Sequence, residues 1–315
     1  MDNMYQKKIS IIVSVFNEEQ VLKDFYQEIK KVLDSIQWKY ELIFVNDGSS
    51  DSSGKILKEI AQKDSNICII NFSRNFGHEA AMIAGIDYSN GDGVICMDAD
   101  LQHPPQYIKN IIKKFEDGYD IVNMVRTKNK SAGLLKNVTS LGFYKLINII
   151  SDAKMEENAS DFFALSSQVV DVMKKSYRMK TRFLRGYIQN IGFDKTTIEY
   201  EAGDRVAGHS KYNINKLFKF ALNTIFCFSD FPLKISSYMS ALFCGFGILE
   251  LINTIYRTMI IDVSSKNEIL ITIICFSFSI VFILISILGK YISIMFEEIK
   301  DKPIYIVKDK NERIV

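Results

Sequence analysis

The sequence predicts an α/β domain, a parallel sheet with helices on both faces, followed by a pair of membrane-spanning helices. Three observations predict it. Apolar, β-branched runs alternate with segments of helical periodicity through the first hundred residues. Each run ends in a polar cluster, the place where open α/β sheets hold their ligands. Residues 235–296 carry only six charges, Glu250, Arg257, Asp262, Lys266, Glu268 and Lys290, in a chain that is 24% charged overall.

Residues 9–16 (ISIIVSVF) read as the first strand, and 18–36 as a helix with Val21, Leu22, Phe25, Ile29, Val32, Leu33 and Ile36 on one face. Residues 41–46 are strand-like and end in Asp47-Gly48-Ser49-Ser50-Asp51. A helix to about Lys63, a strand at 67–72, a helix near 79–88 and a strand at 93–97 follow, and DIVNMV leads to Arg126. The polar strand ends are Asn17-Glu18-Glu19, Asp47-Gly48-Ser49, Arg74-Asn75 and Asp98-Ala99-Asp100.

The 315 residues suit about two domains, and 48% hydrophobic content excludes a disordered chain. With 39 basic and 37 acidic residues the net charge is +2, without the basic excess of a nucleic-acid binder. Five cysteines (Cys68, Cys96, Cys227, Cys244, Cys275) form no CxxC pair, which points to a reducing compartment rather than zinc or disulfides. No apolar stretch follows the N-terminal charges, so no cleaved signal peptide is expected.

Ile269 to Gly289 is free of charge and, at 1.5 Å per residue, reaches across about 30 Å of hydrocarbon. The two spans are expected at about 235–257 and 269–291. Glu250 interrupts the first, facing either a partner helix and headgroups or a functional site. Lys211, Lys216, Lys219 and Lys234 before the hairpin, and Lys300, Lys302, Lys308, Lys310 and Arg313 after it, put both ends in the cytoplasm. Within 213–234, Leu217, Phe218, Ala221, Leu222, Ile225 and Phe226 recur at helical spacing opposite Lys216 and Lys219. That pattern fits an interfacial helix, with a core helix as the alternative. The expected divisions are a cytosolic α/β domain over 1–212, the interfacial region over 213–234, the hairpin over 235–296 and a cytosolic tail over 297–315.

Neither GxGxxG nor GxxxxGK[ST] is present, so dinucleotide and Walker-type sites are unsupported. The remaining chemistry is acidic. Asp98 and Asp100 alternate along an extended strand end and project to one side, with Gln102 following. Two carboxylates and an amide oxygen suit Mg²⁺ or Mn²⁺ shared with substrate phosphates.

The full set of motifs is Val15-Phe16-Asn17-Glu18-Glu19, Val45-Asn46-Asp47-Gly48-Ser49-Ser50-Asp51, Ser73-Arg74-Asn75-Phe76-Gly77-His78 and Met97-Asp98-Ala99-Asp100-Leu101-Gln102-His103-Pro104-Pro105. Arg182-Phe183-Leu184-Arg185-Gly186, Gly208-His209-Ser210-Lys211-Tyr212 and Phe228-Ser229-Asp230-Phe231-Pro232-Leu233-Lys234 continue it. Together they resemble family 2 glycosyltransferases of the GT-A fold. Within these the chain is most similar to polyprenyl-phosphate glycosyltransferases, the bactoprenol glucosyltransferases of the GtrB type and the dolichol-phosphate mannose synthases.

The resemblance implies roles. Asp47 recognises the donor nucleotide, with Asn17 and Glu19 nearby; an acidic first helical turn is the other reading of Glu18 and Glu19. Asp98, Asp100 and Gln102 match the metal and diphosphate motif. Residues 203–211 resemble a mobile loop in which Arg205 and Lys211 contact diphosphate, a solvated basic loop being the alternative. Arg126 matches an acceptor-phosphate arginine, Lys136 stands where a second arginine is usual, and Arg182 and Arg185 serve the site or the lipid headgroup, a purely structural role for one of them being the other reading. Asp161 is the candidate base or acceptor-positioning group, although Ser160 and Phe163 replace the usual Gly and Arg.

What the resemblance implies overall is a metal-dependent, inverting enzyme. It passes one hexose, glucose from UDP-glucose being favoured, to undecaprenyl phosphate at the bacterial inner membrane. A homotetramer and a downstream polyprenyl-phosphosugar flippase complete that expectation. Mannose, N-acetylhexosamine, galactose and an aminopentose are the other candidate sugars. A polysaccharide synthase is disfavoured because the only tryptophan, Trp38, lies in no QxxRW context. A non-catalytic nucleotide-sugar scaffold is the non-enzymatic alternative.

Overall fold

The protein is described from a computed structural model over residues 6–127, 159–179, 183–203 and 266–311, with isolated helical positions at 238, 245, 249 and 252. Strands β1 (Lys8–Val15), β2 (Lys39–Asn46), β3 (Ile67–Phe72) and β4 (Gly93–Asp98) run parallel, joined by helices α1 (Leu22–Leu33), α2 (Ser53–Lys63) and α3 (His78–Tyr88). Then come α4 (Ile108–Glu116), β5 (Ile121–Arg126), β6 (Ala159–Ser166), α5 (Ser167–Ser176), α6 (Leu184–Asn190), β7 (Lys195–Tyr200), α7 (Lys266–Ile299) and β8 (Val307–Lys310). The sheet order is β7-β5-β6-β4-β1-β2-β3-β8.

The expected all-parallel sheet is corrected to a mixed one. β6 runs antiparallel to both β4 and β5, and β8 runs antiparallel to β3. An apolar run carries no sign of its direction, so alternation of elements alone cannot reveal an inserted reversed strand. The first helix is also shorter than its periodicity suggests. Asn17 takes φ 56° and the chain turns through Glu18 to Val21, so α1 begins only at Leu22.

Period-two alternation builds both faces of the core. Ile11 and Val13 of β1 join Leu22, Phe25 and Ile29 of α1 and Leu57 of α2. Phe25 meets Phe44 of β2 edge-on, with ring centroids 6.3 Å apart. Ile12 points the other way, into a cluster with Ala81 and Ala84 of α3. A Cβ on Gly85 would lie 2.1 Å from the Ile12 side chain, so this helix reaches the sheet only because it carries glycine there. A polar tie holds α1 to the end of α2. Asp64 accepts from Tyr26 (3.1 Å) and the Asn66 N–H (2.9 Å) and pairs with Lys30 at 3.1 Å.

Within the segment expected as a C-terminal tail, Val307–Lys310 forms an edge strand on β3. Asn311 accepts from the Ile69 N–H (2.8 Å) and donates to the Ile67 carbonyl (3.0 Å). Tyr305 stacks on Phe72 at 5.3 Å and donates to Asp87 at 2.6 Å. A relay of amides runs inward from this strand. Asn71 donates to Asp309 (2.6 Å), Asn46 donates to Asn71 (2.9 Å), and the Ser49 N–H donates to Asn46 (3.1 Å).

The chain divides into two units, one holding the sheet and β8 and the other holding α7. α7 is 34 residues long and spans the second expected membrane segment. Its side chains include exposed Ile283, Ile285, Leu288 and Ile292. Counting the described residues alone, no helix is long and apolar enough to cross a membrane. The interfacial region and, apart from four positions, the first expected span lie outside the described residues.

Candidate active site

The carboxyl ends of β1 and β2 form one wall of the site, and their loops are tied together. Asn17 accepts the Ser50 N–H (2.9 Å), while its own N–H donates to Ser49 (3.0 Å). Glu19 accepts the N–H of Ser52, the residue just before α2, at 2.9 Å. Its charge therefore complements the positive end of α2, rather than a first turn of α1. Asp47 is buried, and its two oxygens accept the N–H groups of Phe76 (2.6 Å) and Gly77 (2.9 Å). Gly48, at φ +67°, lies so close to the next loop that a Cβ would fall 2.4 Å from the Arg74 carbonyl carbon. In this structure Asp47 and Gly48 organise the 74–77 loop, which adds a local role to the nucleotide contact expected of Asp47.

The end of β4 forms the floor. Asp98 ends the strand, and Asp100 accepts the Gln102 N–H at 3.0 Å. Between them and Gln102, Leu101 holds φ 61°, a costly conformation for a branched side chain. The start of the expected mobile loop touches this bend, since a Cβ on Gly203 would meet the Leu101 carbonyl oxygen at 2.4 Å. Arg126, at the end of β5, lies 3.4 Å from the Gln102 amide oxygen. His103 sits beneath, buried against Phe162 and accepting the Asp98 N–H at 2.9 Å. Burial holds its pKa below the ordinary value against the pull of Asp98 and Asp100.

Asp161 reaches the same place through strand register. β4 and β6 pair antiparallel from Gly93–Ser166 to Cys96–Phe163, where the ladder ends, and Asp98 lies two residues beyond Cys96 and Asp161 two before Phe163. Arg185 of α6 lies 2.9 Å from Asp161. His78, the first residue of α3, stands between the two carboxylates. Its Nδ1 is 2.7 Å from the Ser14 hydroxyl and 3.5 Å from Asp98, and its Nε2 is 3.9 Å from Asp161.

The His78, Asp98, Asp161 and Arg185 side chains are each about one-third exposed. Burial opposes charge on Asp161, yet Arg185, His78, His103 and Arg126 outweigh it and hold the carboxyl below its usual range. Burial likewise opposes the His78 imidazolium, but Asp98 and Asp161 hold its pKa above the ordinary value. Glu79 is pushed up, by burial first and then by Asp161.

The structure thus brings together Asp98, Asp100, Gln102, Arg126, Asp161 and Arg185, with Asn17, Glu19 and Asp47 on the adjoining wall. Lys136, Arg182, Arg205 and Lys211 lie outside the described residues. His78 and Ser14 are additions that sequence reasoning missed as site residues. The only available signal was the position of His78 in the Ser73–His78 motif after a strand. A cleft of 620 Å³ bounded by Lys8, Trp38, Glu41 and Cys68 opens at the opposite, amino-terminal strand ends.

The donor set suits a hard divalent cation. Asp98 and Asp100 supply carboxylates and Gln102 an amide oxygen, while no group of three His, Cys, Asp or Glu among the described residues forms a cage. Magnesium characteristically binds one or two carboxylates and takes its other ligands from water and phosphate. The residues present fit such shared coordination.

Comparison with known proteins bears on this arrangement. Residues 10–173 match the Glycosyl transferase family 2 profile. The uncharacterized glycosyltransferase YkcC of Bacillus subtilis is 39% identical over 95% of this chain and 93% of its own. The prophage-derived bactoprenol glucosyl transferase of Shigella flexneri is 36% identical over 96% and 97%. A prophage bactoprenol glucosyl transferase homolog of Escherichia coli is also 36% identical, over 96% and 98%. Among solved structures, glucosyl-3-phosphoglycerate synthase from Mycobacterium tuberculosis has a TM-score of 0.47 at 16% identity, covering 70% of this chain and 78% of that one. A family match across half the chain and near full-length relatives above 30% identity agree with the acidic strand ends: the chain is a glycosyltransferase and belongs to family 2.

Proposed function

We propose that the protein transfers one hexose, glucose from UDP-glucose first among the candidates, to undecaprenyl phosphate at the cytoplasmic face of a bacterial membrane. The observation that carries this reading is the meeting of Asp98 and Asp100 with the Asp161–Arg185 pair and Arg126. Such a site has an acidic half suited to a metal-bound diphosphate and a cationic half suited to a second phosphate. Full-length similarity to proteins named bactoprenol glucosyl transferases supports the lipid acceptor and the glucose donor. The uncharged stretch at 269–289 and the exposed apolar side chains of α7 support a membrane anchor.

In the proposed reaction an oxygen of the lipid phosphate attacks the anomeric carbon of the sugar. The bond from that carbon to the UDP oxygen breaks, and its electron pair leaves with UDP. A single in-line displacement inverts the anomeric centre. Asp98, Asp100 and Gln102 would hold Mg²⁺ or Mn²⁺, whose chemistry is to offset charge on the departing diphosphate. Arg126 and Arg185 bind the acceptor phosphate as forked donors. That phosphate is already largely ionised at neutral pH, so Asp161 orients the nucleophile and its arginine rather than removing a proton. Arg205 and Lys211 would contact the donor diphosphate, the role that the family resemblance implies for them.

The test is incubation of membranes containing the full chain with undecaprenyl phosphate, Mg²⁺ or Mn²⁺, and a panel of labelled nucleotide sugars. Label in the lipid fraction with UDP-glucose supports the proposal. Label with another sugar corrects the donor, and no label with any sugar refutes the reaction.

A further inference from the structure

His78 spans the two halves of the site. Its Nδ1 edge meets the Ser14 hydroxyl at 2.7 Å and Asp98 at 3.5 Å, and its Nε2 edge faces Asp161 at 3.9 Å. Nε2 is shielded from solvent and has no hydrogen-bond partner among the described residues. The ring is fixed from both directions. It is the first residue of α3, a helix pinned to β1 through Gly85 and preceded by the loop that Asp47 holds. Asp98 and Asp161 come from neighbouring antiparallel strands, so two like charges converge where the strands end. A rigid ring between them sets how far apart the carboxylates stand and which oxygens each turns toward the cleft.

We propose that His78 is a positioning residue that sets the donor-side Asp98 and the acceptor-side Asp161 in register for transfer. This inference rests on the proposed function, since it assigns the two carboxylates to the two substrates. Its consequence is specific. Displacing Asp161 by a fraction of an ångström misaligns the nucleophile, while UDP and the cation still bind on the Asp98 side.

Two variants divide the contacts. In His78→Asn the amide occupies the Nδ1 position and keeps the Ser14 and Asp98 side, but stops short of Asp161. In His78→Gln the amide reaches the Nε2 position. Each is prepared as the full chain in detergent. UDP and Mn²⁺ affinity is read by calorimetry, the melting temperature by thermal denaturation, and turnover with UDP-glucose and undecaprenyl phosphate. For His78→Asn the expected result is UDP and Mn²⁺ affinity within about twofold of wild type, and kcat lowered about tenfold or more. His78→Gln should recover a substantial part of that kcat. Wild-type kcat in the Asn variant, no recovery in the Gln variant, or parallel loss of affinity, turnover and melting temperature in both would each overturn the inference. A wild-type chain that labels no lipid refutes the proposed function and this inference with it. An active wild type with indifferent variants overturns this inference alone.

Discussion

Replacing Asp47 by Asn tests whether its carboxylate organises the site as well as meeting nucleotide. The side chain is 2% exposed, and its oxygens accept two backbone N–H groups at 2.6 and 2.9 Å. Asparagine keeps one acceptor and turns an NH₂ toward the other N–H, leaving a buried donor unpaired. Losing one charge-assisted bond and desolvating its partner costs about 2–3 kcal/mol. For a domain of this size that lowers the melting temperature by about 5–10 °C. The released 74–77 loop should also weaken UDP binding, because Gly48 depends on its close approach to Arg74. The assay is a thermal melt of the full chain alongside a UDP titration. A variant that melts like wild type while losing UDP affinity would show a carboxylate free for nucleotide, and would refute the structural half of the reasoning.

Further outcomes follow from the same geometry. Asp100→Asn should lower lipid labelling about a hundredfold or more with an unchanged melting temperature, because it removes a cation ligand without changing shape. Asp64 should contribute to an acid limb of stability. Burial opposes its charge, but the Asn66 N–H, Lys30 and Tyr26 hold its pKa below the ordinary value. The folded state therefore binds that proton less readily than the unfolded chain. The contribution is complete above about pH 5 and fades as pH falls through the unfolded and then the folded value. Urea midpoints between about pH 5 and 3 should fall more steeply for wild type than for Asp64→Asn. Ending the chain after Lys302 should lower the melting temperature of the sheet domain, because β8, Tyr305 and Asn311 leave the β3 edge unpaired. A truncated chain that melts like wild type would contradict the role given to that strand.

Much of this was legible in the residues, for physical reasons. β1 to β4 are short β-branched runs separated by helical periodicity, and their ends carry Asn17, Asp47 and Asp98, so the sheet and its ligand edge follow from local pattern. Asp161 was legible only by resemblance. Its position depends on β6 running antiparallel between β4 and β5, and nothing in ASDFFALS states a direction or a partner. β8 escaped for a similar reason. VKDK is polar and short, and becomes a strand only because β3 offers an edge and Asn311 bonds to it. His78 stands in a quoted motif, yet its meaning depends on the start of α3 meeting Ser14, Asp98 and Asp161 from three different strands, a tertiary fact. Besides the nucleotide role that the resemblance implies for Glu19, the residues allow charge at the start of a helix; the helix it complements is α2 rather than α1, since the turn at Asn17 redirects the chain.

The most direct measurement is mass analysis of lipid extracted after the purified full chain has been incubated with UDP-glucose, undecaprenyl phosphate and Mn²⁺. One hexose added per lipid phosphate, with UDP released in equal amount and about a hundredfold less product or lower from Asp100→Asn, is the result predicted. UDP released without lipid product, or lipid carrying a lengthening glycan, would contradict single transfer to a polyprenyl phosphate.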